Sequence, residues 1–259
     1  MRFSNAFVPI VALFLSSAAF AQSPADGTWT LNTAKSRLAG DTMNFEDAGT
    51  GQLKYSDSDE SYTLKTDGSS IVTPLGTERT FKKTGDDSYE ATSKRNGNLL
   101  STSAWKVSAD GNSLVIDSKG TKPNGDKFND SVTYTRTAPG TGLVGGWKST
   151  KVKLSSPSAI SFQSSGQDDV TLSISAIKAT CNAKWDGKDY PASGPTVPDG
   201  VTLALTKTGP NTFKMVEKIK TKAVAIVRYT VAADGKSMVA KGTNGAGKEP
   251  YTEIWEKQS

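Results

Sequence analysis

Two short patterns in this chain carry residue types that could form and break covalent bonds. Lys-Thr-Gly occurs at 83–85 and at 207–209, and a serine followed three residues later by lysine occurs at Ser103–Lys106 and Ser175–Lys178. A serine nucleophile with a lysine partner can carry out acyl transfer. In enzymes that use this pair together with Lys-Thr-Gly, the serine begins a helix, and a Ser-Asp-Asn element lies between the two patterns. Here Ser175–Lys178 lies in the alternating stretch "VTLSISAIKAT", and that element is absent. We therefore predict no catalytic residues and no enzyme.

The other reactive side chains are equally sparse. The chain contains no histidine and a single cysteine, Cys181. Without histidine, Ser-His-Asp and Cys-His catalysis, histidine-bound zinc or copper and the usual haem ligand are excluded. No regular spacing of acidic residues suggests a calcium loop, so we expect no metal and no cofactor. A lone cysteine cannot form an internal disulfide, and we expect a buried, apolar role for it.

The first residues have the pattern of a secretion signal. Arg2 precedes an apolar stretch, and Ala19-Phe20-Ala21 is a small-x-small cleavage site. The stretch is shorter than the ~20 residues that span a bilayer, so we predict cleavage near Ala21, no stable membrane insertion and a periplasmic or secreted protein. The net charge of +5 comes from 31 basic and 26 acidic residues without a basic stripe. That mixture argues against nucleic-acid binding and leaves the oligomeric state open.

The chain contains an internal duplication. "KTGDDSY" (83–89) matches "KTGPNTF" (207–213), and "VSADGNSL" matches "VAADGKSM" at the same offset of 124 residues. Further matches follow in the same order, for example "KTDG" with "KWDG" at an offset of 119. Shared order and spacing favour two copies over turn sequences that recur by chance. The predicted division is a signal peptide at 1–21, copy one at 22–137, a Pro- and Gly-containing linker at 138–144 and copy two at 145–259.

Apolar residues in both copies alternate with a period of two, as in "AVAIVRYTV" (223–231). This run leads to Asp234-Gly235, a tight hairpin signal, and Asp110-Gly111 has the same place in copy one. A copy of about 110 residues holds roughly eight to ten strands of ordinary length. A long antiparallel meander buries one face and hides its edges by closing into a barrel. We predict an all-β protein of two tandem antiparallel up-and-down barrels, with a single joint sheet as the alternative and a short helix only at 155–163.

Each copy opens with Gly-x-Trp, "GTW" at 27–29 and "GGW" at 145–147. This opening resembles the lipocalin and fatty-acid-binding-protein superfamily, the calycins. The resemblance implies that the first-strand tryptophan closes the barrel floor and that a basic residue of the last strand lies against the indole. The expected barrel-closing residues are therefore Trp29, Trp147, Arg136 and Lys257. A cation over an indole face gains ~0.5–2 kcal/mol.

Longer stretches resemble small secreted lipocalin-like proteins of bacteria. They are "GTWTLNTAKS", "WDGKDYP", "DGKSM" and "KGTNGAGK". The opening motif is better in copy one, and the middle motif is better in copy two, where copy one has "TDGSSIVTP". The resemblance covers both copies and implies a shared fold rather than a shared ligand.

The candidates for lining a ligand cavity are the aromatic residues Trp105, Trp185, Tyr190 and Tyr229. The alternative is that they fill a small barrel's core. Arg228 would suit a ligand carboxylate, as in barrel carriers of this shape, but its alternation with Val227 favours a solvated surface. We predict a non-enzymatic binding protein for a small apolar or amphipathic molecule. The alternative is a cell-envelope protein-interaction or inhibitor module with solid barrels.

Overall fold

The computed structural model describes residues 23–244, 247 and 250–259. The predicted secretion signal at 1–21 lies outside the described residues. Within them the chain forms β-strands and one 3-10 turn, Ser175–Ile177. No helix in this described part is long and apolar enough to cross a membrane. The predicted all-β fold is confirmed.

Every strand pairs with its neighbours in antiparallel fashion. The strands of the first half are β1 Gly27–Leu31, β2 Thr42–Asp47, β3 Gln52–Ser56, β4 Ser61–Lys65, β5 Asp67–Val72, β6 Glu78–Gly85, β7 Ser88–Arg95, β8 Asn98–Val107, β9 Ser113–Thr121 and β10 Lys127–Arg136. Those of the second half are β11 Gly145–Lys153, β12 Ala159–Ser165, β13 Asp169–Ile174, β14 Ala179–Lys184, β15 Asp186–Ser193, β16 Val201–Gly209, β17 Thr212–Ile219, β18 Lys222–Val231, β19 Ser237–Asn244 and β20 Tyr251–Lys257.

The strands form two sheets of ten. One is a closed barrel of β1 and β12–β20, called here the closed barrel. The other, in the order β4-β3-β2-β11-β10-β9-β8-β7-β6-β5, curls around its own apolar cluster and stays unpaired between β4 and β5; we call it the open barrel. The predicted number of strands per copy and the two-barrel architecture are both confirmed.

Neither barrel is built from one sequence copy alone. Strand β1 lies between β12 and β20, with Trp29 opposite Ile160 and Lys257. Strand β11 lies between β2 and β10, with Trp147 opposite Met43 and Arg136. The ranges 22–137 and 145–259 therefore mark the sequence repeats, while the barrels have exchanged their first strands. The exchange is possible because both strands carry Gly-x-Trp and fit the same slot.

The two barrels stand mouth to mouth. We call the end of each barrel that holds the tryptophan its floor and the opposite end its mouth. Both exchanged strands leave their barrel at the mouth, and residues 32–41 and 154–158 lead directly into the other barrel's next strand. Hydrogen bonds join the facing turns: the Asn124 amide donates to the Ala176 carbonyl at 3.3 Å, and the Lys222 ammonium donates to the Asp59 carbonyl at 2.6 Å.

Local details confirm some sequence predictions and correct others. Gly111 and Gly235 have positive φ angles of 73° and 66° in the predicted Asp-Gly turns. The helix predicted at 155–163 is wrong: β12 begins at Ala159, because "AISF" alternates apolar residues that point into the closed barrel. The prediction that Ser175–Lys178 lies in a strand is also wrong. The chain leaves the strand there for the 3-10 turn, and Lys178 has a left-handed φ of 50°.

The exchange predicts that residues 154–259 lack one strand of their own barrel. We expect this fragment to gain a cooperative thermal unfolding transition, followed by circular dichroism, when a synthetic peptide of residues 23–36 is added. The peptide supplies β1 and the indole that fills the floor. The same peptide carrying Trp29→Ala is the control and should not stabilise the fragment. An equal unfolding midpoint with and without the wild-type peptide would contradict the exchange.

Candidate functional site

Each barrel floor is closed by a cation lying over a fully buried tryptophan. The Arg136 guanidinium lies 4.1 Å from the ring centroid of Trp147, and the Lys257 ammonium lies 5.2 Å from that of Trp29. Both indole N–H groups donate to the carbonyl four residues earlier, Leu143 at 2.9 Å and Ala25 at 2.8 Å. Because of the strand exchange, each tryptophan meets the basic residue of the other copy.

The glycine of Gly-x-Trp makes room for that cation. A Cβ atom on Gly145 would lie 2.6 Å from Arg136 Nη1, and one on Gly27 would lie 2.5 Å from Lys257 Cε. Their φ angles of 120° and 122° also disfavour any residue with a side chain. The motif is therefore a structural device at the floor, and ligand chemistry must be sought at the mouth.

The interior of the open barrel is filled by aromatic side chains. Phe45 contacts Tyr55 with ring centroids 5.3 Å apart, and Tyr55 contacts Tyr62 at 5.0 Å. The Arg79 guanidinium donates to the Tyr62 hydroxyl and lies 5.7 Å from the Tyr62 ring centroid. Burial raises the pKa of both Tyr55 and Tyr62. The protein's own side chains occupy most of this end of the open barrel, and a more polar cavity of about 330 Å³ remains between Tyr55 and the mouth of the closed barrel.

The closed barrel has smaller side chains at the same three positions. Phe45–Tyr55–Tyr62 form consecutive cross-strand pairs, and the corresponding pairs in the closed barrel are Phe162–Leu172–Cys181. In the same way Leu203 stands where Arg79 stands. Two tyrosines and an arginine are thus replaced by Leu172, Cys181 and Leu203, and these three residues line a cavity of about 430 Å³.

The cavity lies in the upper half of the closed barrel and reaches the mouth. Its walls are mostly aliphatic, and they include Ile160, Ile174, Ile177, Val201 and Met215. Cys181 is 1% exposed, and burial raises the pKa of its thiol. The predicted apolar role of this cysteine is confirmed, and its small size is what leaves the space.

Two charged residues line the cavity. Arg95 reaches it from the mouth of the open barrel, where its guanidinium donates to the Thr196 carbonyl at 2.9 Å and to Thr77 Oγ1 at 2.6 Å. Glu217 projects from β17 on the face of buried Phe213 and Met215. Burial raises the pKa of the Glu217 carboxyl, and the nearby charge of Asp59 raises it further. The carboxyl accepts no hydrogen bond and forms no ion pair within the described part of the chain.

None of the five predicted ligand residues lines this cavity. Trp185 and Tyr229 pack with Phe213 in the floor half, where the Phe213 and Tyr229 rings stack with centroids 4.6 Å apart. Trp105 packs inside the open barrel, its indole N–H donating to Ser103 Oγ at 2.8 Å. The Tyr190 hydroxyl donates to Asp186 at 3.1 Å. Trp105, Trp185 and Tyr229 thus pack in the barrel interiors, and Tyr190 is half-buried on β15.

Arg228 is exposed on the outer face of β18, opposite buried Val227 and Tyr229. This is the solvated surface position that the alternation favours. The sequence prediction missed the cavity residues because their signal is a difference between the two copies. The interior residues are large in one copy and small in the other. That signal becomes visible only when the strands are paired in register.

The patterns that suggested acyl transfer are not assembled into a site. Lys207 lies near the floor end of β16, where its ammonium is 5.6 Å from the Trp185 ring centroid. Ser175 belongs to the 3-10 turn at the mouth of the same barrel. Lys-Thr-Gly instead leads into hairpin turns at 210–211 and 86–87, as predicted. No cluster of three possible metal ligands occurs among the described residues.

Comparison with known proteins gives no match to a protein-family model, to a curated protein or to a solved structure. The cavity therefore has to be interpreted from its own geometry.

The floor geometry predicts that Gly145→Ala destabilises the protein by about 2–4 kcal/mol, from backbone strain and from displacement of Arg136. Gly49→Ala is the matched control, because Gly49 has a similar positive φ of 105° but no atom within 4 Å of an added Cβ. We expect it to cost only about 1 kcal/mol. Chemical denaturation measures both free energies of unfolding, and equal losses would show that the contact with Arg136 is unimportant.

The raised pKa of Glu217 predicts how stability depends on pH. Between the ordinary carboxyl value of 4.5 and the raised one, the folded chain keeps a proton that the unfolded chain has released. The stabilisation is complete below the ordinary value and is lost as pH rises through the raised pKa. Glu217→Gln should therefore flatten the fall in unfolding free energy with pH and stabilise the protein at neutral pH.

Glu256→Gln provides a control of opposite sign for that measurement. Hydrogen bonds from Lys35 and Asn32 hold the pKa of the Glu256 carboxyl low. Folding favours its ionised form, so the wild type gains this stabilisation as pH rises through the acid range, and the variant should fall increasingly below the wild type over that range. Parallel stability–pH curves for wild type and Glu217→Gln would contradict the assignment.

Proposed function

We propose that this chain is a non-enzymatic binding protein that holds a small apolar or amphipathic molecule in the cavity of the closed barrel. The observation that carries the proposal is the difference between the two barrels. At three matched interior positions the open barrel is filled by Tyr55, Tyr62 and Arg79, and the closed barrel leaves a space of about 430 Å³.

The size and walls of the cavity fit such a ligand. Ligand pockets in proteins have volumes of about 300–1,000 Å³ and mainly apolar walls with a few polar groups. Each buried methylene contributes roughly 0.8 kcal/mol to transfer out of water. An aliphatic chain or small ring system would therefore bind by burial, and the few polar wall groups would orient it.

The likeness of the Gly-x-Trp openings to secreted bacterial lipocalin-like proteins supports the same proposal, and so does the predicted secretion signal. On this proposal the mature protein acts in the periplasm or outside the cell. The open barrel then serves as a cap: its Arg95 side chain crosses to the Thr196 carbonyl at the rim of the cavity.

One observation favours the alternative of a protein-interaction module. The open barrel is filled by its own side chains and exposes Val72 and Leu99, which are 72% and 48% accessible. Native mass spectrometry of the purified protein distinguishes the two functions, because a carrier retains a small molecule and a module retains a protein partner.

Filling the cavity should abolish binding. In Cys181→Tyr the side chain found at the matched position of the open barrel is placed in the cavity. We expect the affinity for the neutral fluorescent probe N-phenyl-1-naphthylamine to fall at least tenfold, because the space is occupied. Asn182→Tyr is the matched control, since Asn182 is exposed on the outer face of the same strand. Fluorescence titration measures both.

The thermal unfolding midpoint shows whether each variant is folded, and Leu172→Tyr provides a second way to fill the same space. Unchanged probe binding in a folded Cys181→Tyr or Leu172→Tyr protein would overturn the cavity as the binding site.

A further inference from the structure

We propose that the ligand of the closed barrel is a cation, an amine or other ammonium group on an apolar body, and that Glu217 binds this group. The inference rests on the proposed function, because it assigns the head group of a molecule held in the same cavity.

Glu217 is the acidic side chain in the cavity wall. It is paired across strands with Leu203 and Ala225, and Met215 precedes it on the same inward face. No described residue donates a hydrogen bond to its carboxyl or forms an ion pair with it. An ionised carboxylate in such apolar surroundings is costly unless a positive charge or donors accompany it. A ligand ammonium would supply both.

The two barrels carry different side chains at the position of Glu217, as they do at the positions of the other cavity residues. In the open barrel the pair corresponding to Leu203–Glu217 is Arg79–Ser93. At this position the filled barrel thus has an inward cation, and the hollow barrel has an inward acid. The acidic group is present where the space for a ligand is present.

Two cations at the junction of the barrels are directed elsewhere. The Arg95 guanidinium donates to the Thr196 carbonyl and to Thr77 Oγ1, and its Nε is buried without a hydrogen-bond partner among the described residues and out of reach of a ligand. The Lys222 ammonium donates to the carbonyls of Ser58 and Asp59 at the facing mouth. Neither neutralises Glu217, so both leave it for a ligand.

The electrostatic surroundings at this level favour a cation over an anion. Asp59 lies close enough to raise the pKa of Glu217, and Glu253 is a second interior carboxyl whose pKa is raised by burial. Glu253 accepts the Trp255 indole N–H at 3.1 Å and is therefore already partnered. A ligand carboxylate would meet these negative groups, and it would find both Arg95 Nη atoms already donating and the Arg95 Nε enclosed by protein.

Three probes of equal chain length test the inference: decylamine, decanol and decanoate, titrated into the full-length mature protein by isothermal calorimetry at neutral pH below their micelle concentrations. The wild type should bind decylamine at least tenfold more tightly than decanol, and decanoate most weakly. A charge-assisted hydrogen bond in an apolar site is worth roughly that ratio or more.

Glu217→Gln keeps the shape of the side chain and is expected to fold at least as well as the wild type. It should lose the preference for decylamine and bind decanol as before. Ser93→Gln is the control at the matched position of the open barrel and should leave all three affinities unchanged.

The outcomes separate this inference from the function on which it rests. Equal binding of decylamine and decanol by the wild type, or tightest binding of decanoate, would overturn the cationic ligand and leave the carrier function standing. A preference for decylamine that survives Glu217→Gln would overturn the role of Glu217. If the wild type binds none of the three probes, the carrier function itself fails.

Discussion

Everything in this fold depends on a bulky indole being held beneath a cation at each barrel floor. Trp29 and Trp147 are fully buried, and each fixes a strand whose inward face begins the core of its barrel. The contacts with Lys257 and Arg136 join the first strand to the last strand of the barrel that it completes. The glycines at 27 and 145 follow from the same constraint, because any Cβ atom there would displace the cation. The two mouths are therefore free to differ, since neither contributes to closing the floor.

The difference between the mouths separates a structural barrel from a hollow one. Duplicated strands keep their register, so a change from a large to a small residue in one copy leaves a space of defined shape rather than a collapsed wall. Tyr62 and Cys181 illustrate this relation, and the stiff hydrogen-bonded ladder around Cys181 keeps the space from closing. The filled barrel still contributes to the cavity, because Arg95 crosses the junction and forms part of its wall.

The sequence was sufficient for the fold and for the floor residues, because these depend on local signals. Alternation predicted the strands, Asp-Gly predicted the turns at Gly111 and Gly235, and the resemblance carried by the Gly-x-Trp openings implied that Arg136 and Lys257 lie at the floors. Which cation meets which tryptophan could not be predicted, since both Gly-x-Trp strands fit both slots and the choice depends on the mouth-to-mouth stacking. Glu217 lies in the charged run "KMVEKI" and resembles a surface residue until it is placed two positions beyond Met215 on the inward face. Arg95 reaches the cavity from the other copy, which no local pattern indicates.

The strand exchange also sets the order in which the chain can be completed during synthesis. The open barrel has all its strands once Lys153 has been made, but the closed barrel needs β1, the first strand produced, together with β20, almost the last. Strand β1 must therefore remain unpaired, or pair temporarily elsewhere, until β12 has been made, and its second partner β20 follows only when nearly the whole chain exists. Contacts between residues so far apart in sequence form slowly, because the loop-closure entropy must be overcome first. A chain with this connectivity can complete its open barrel first, and its hollow barrel is the last part to close.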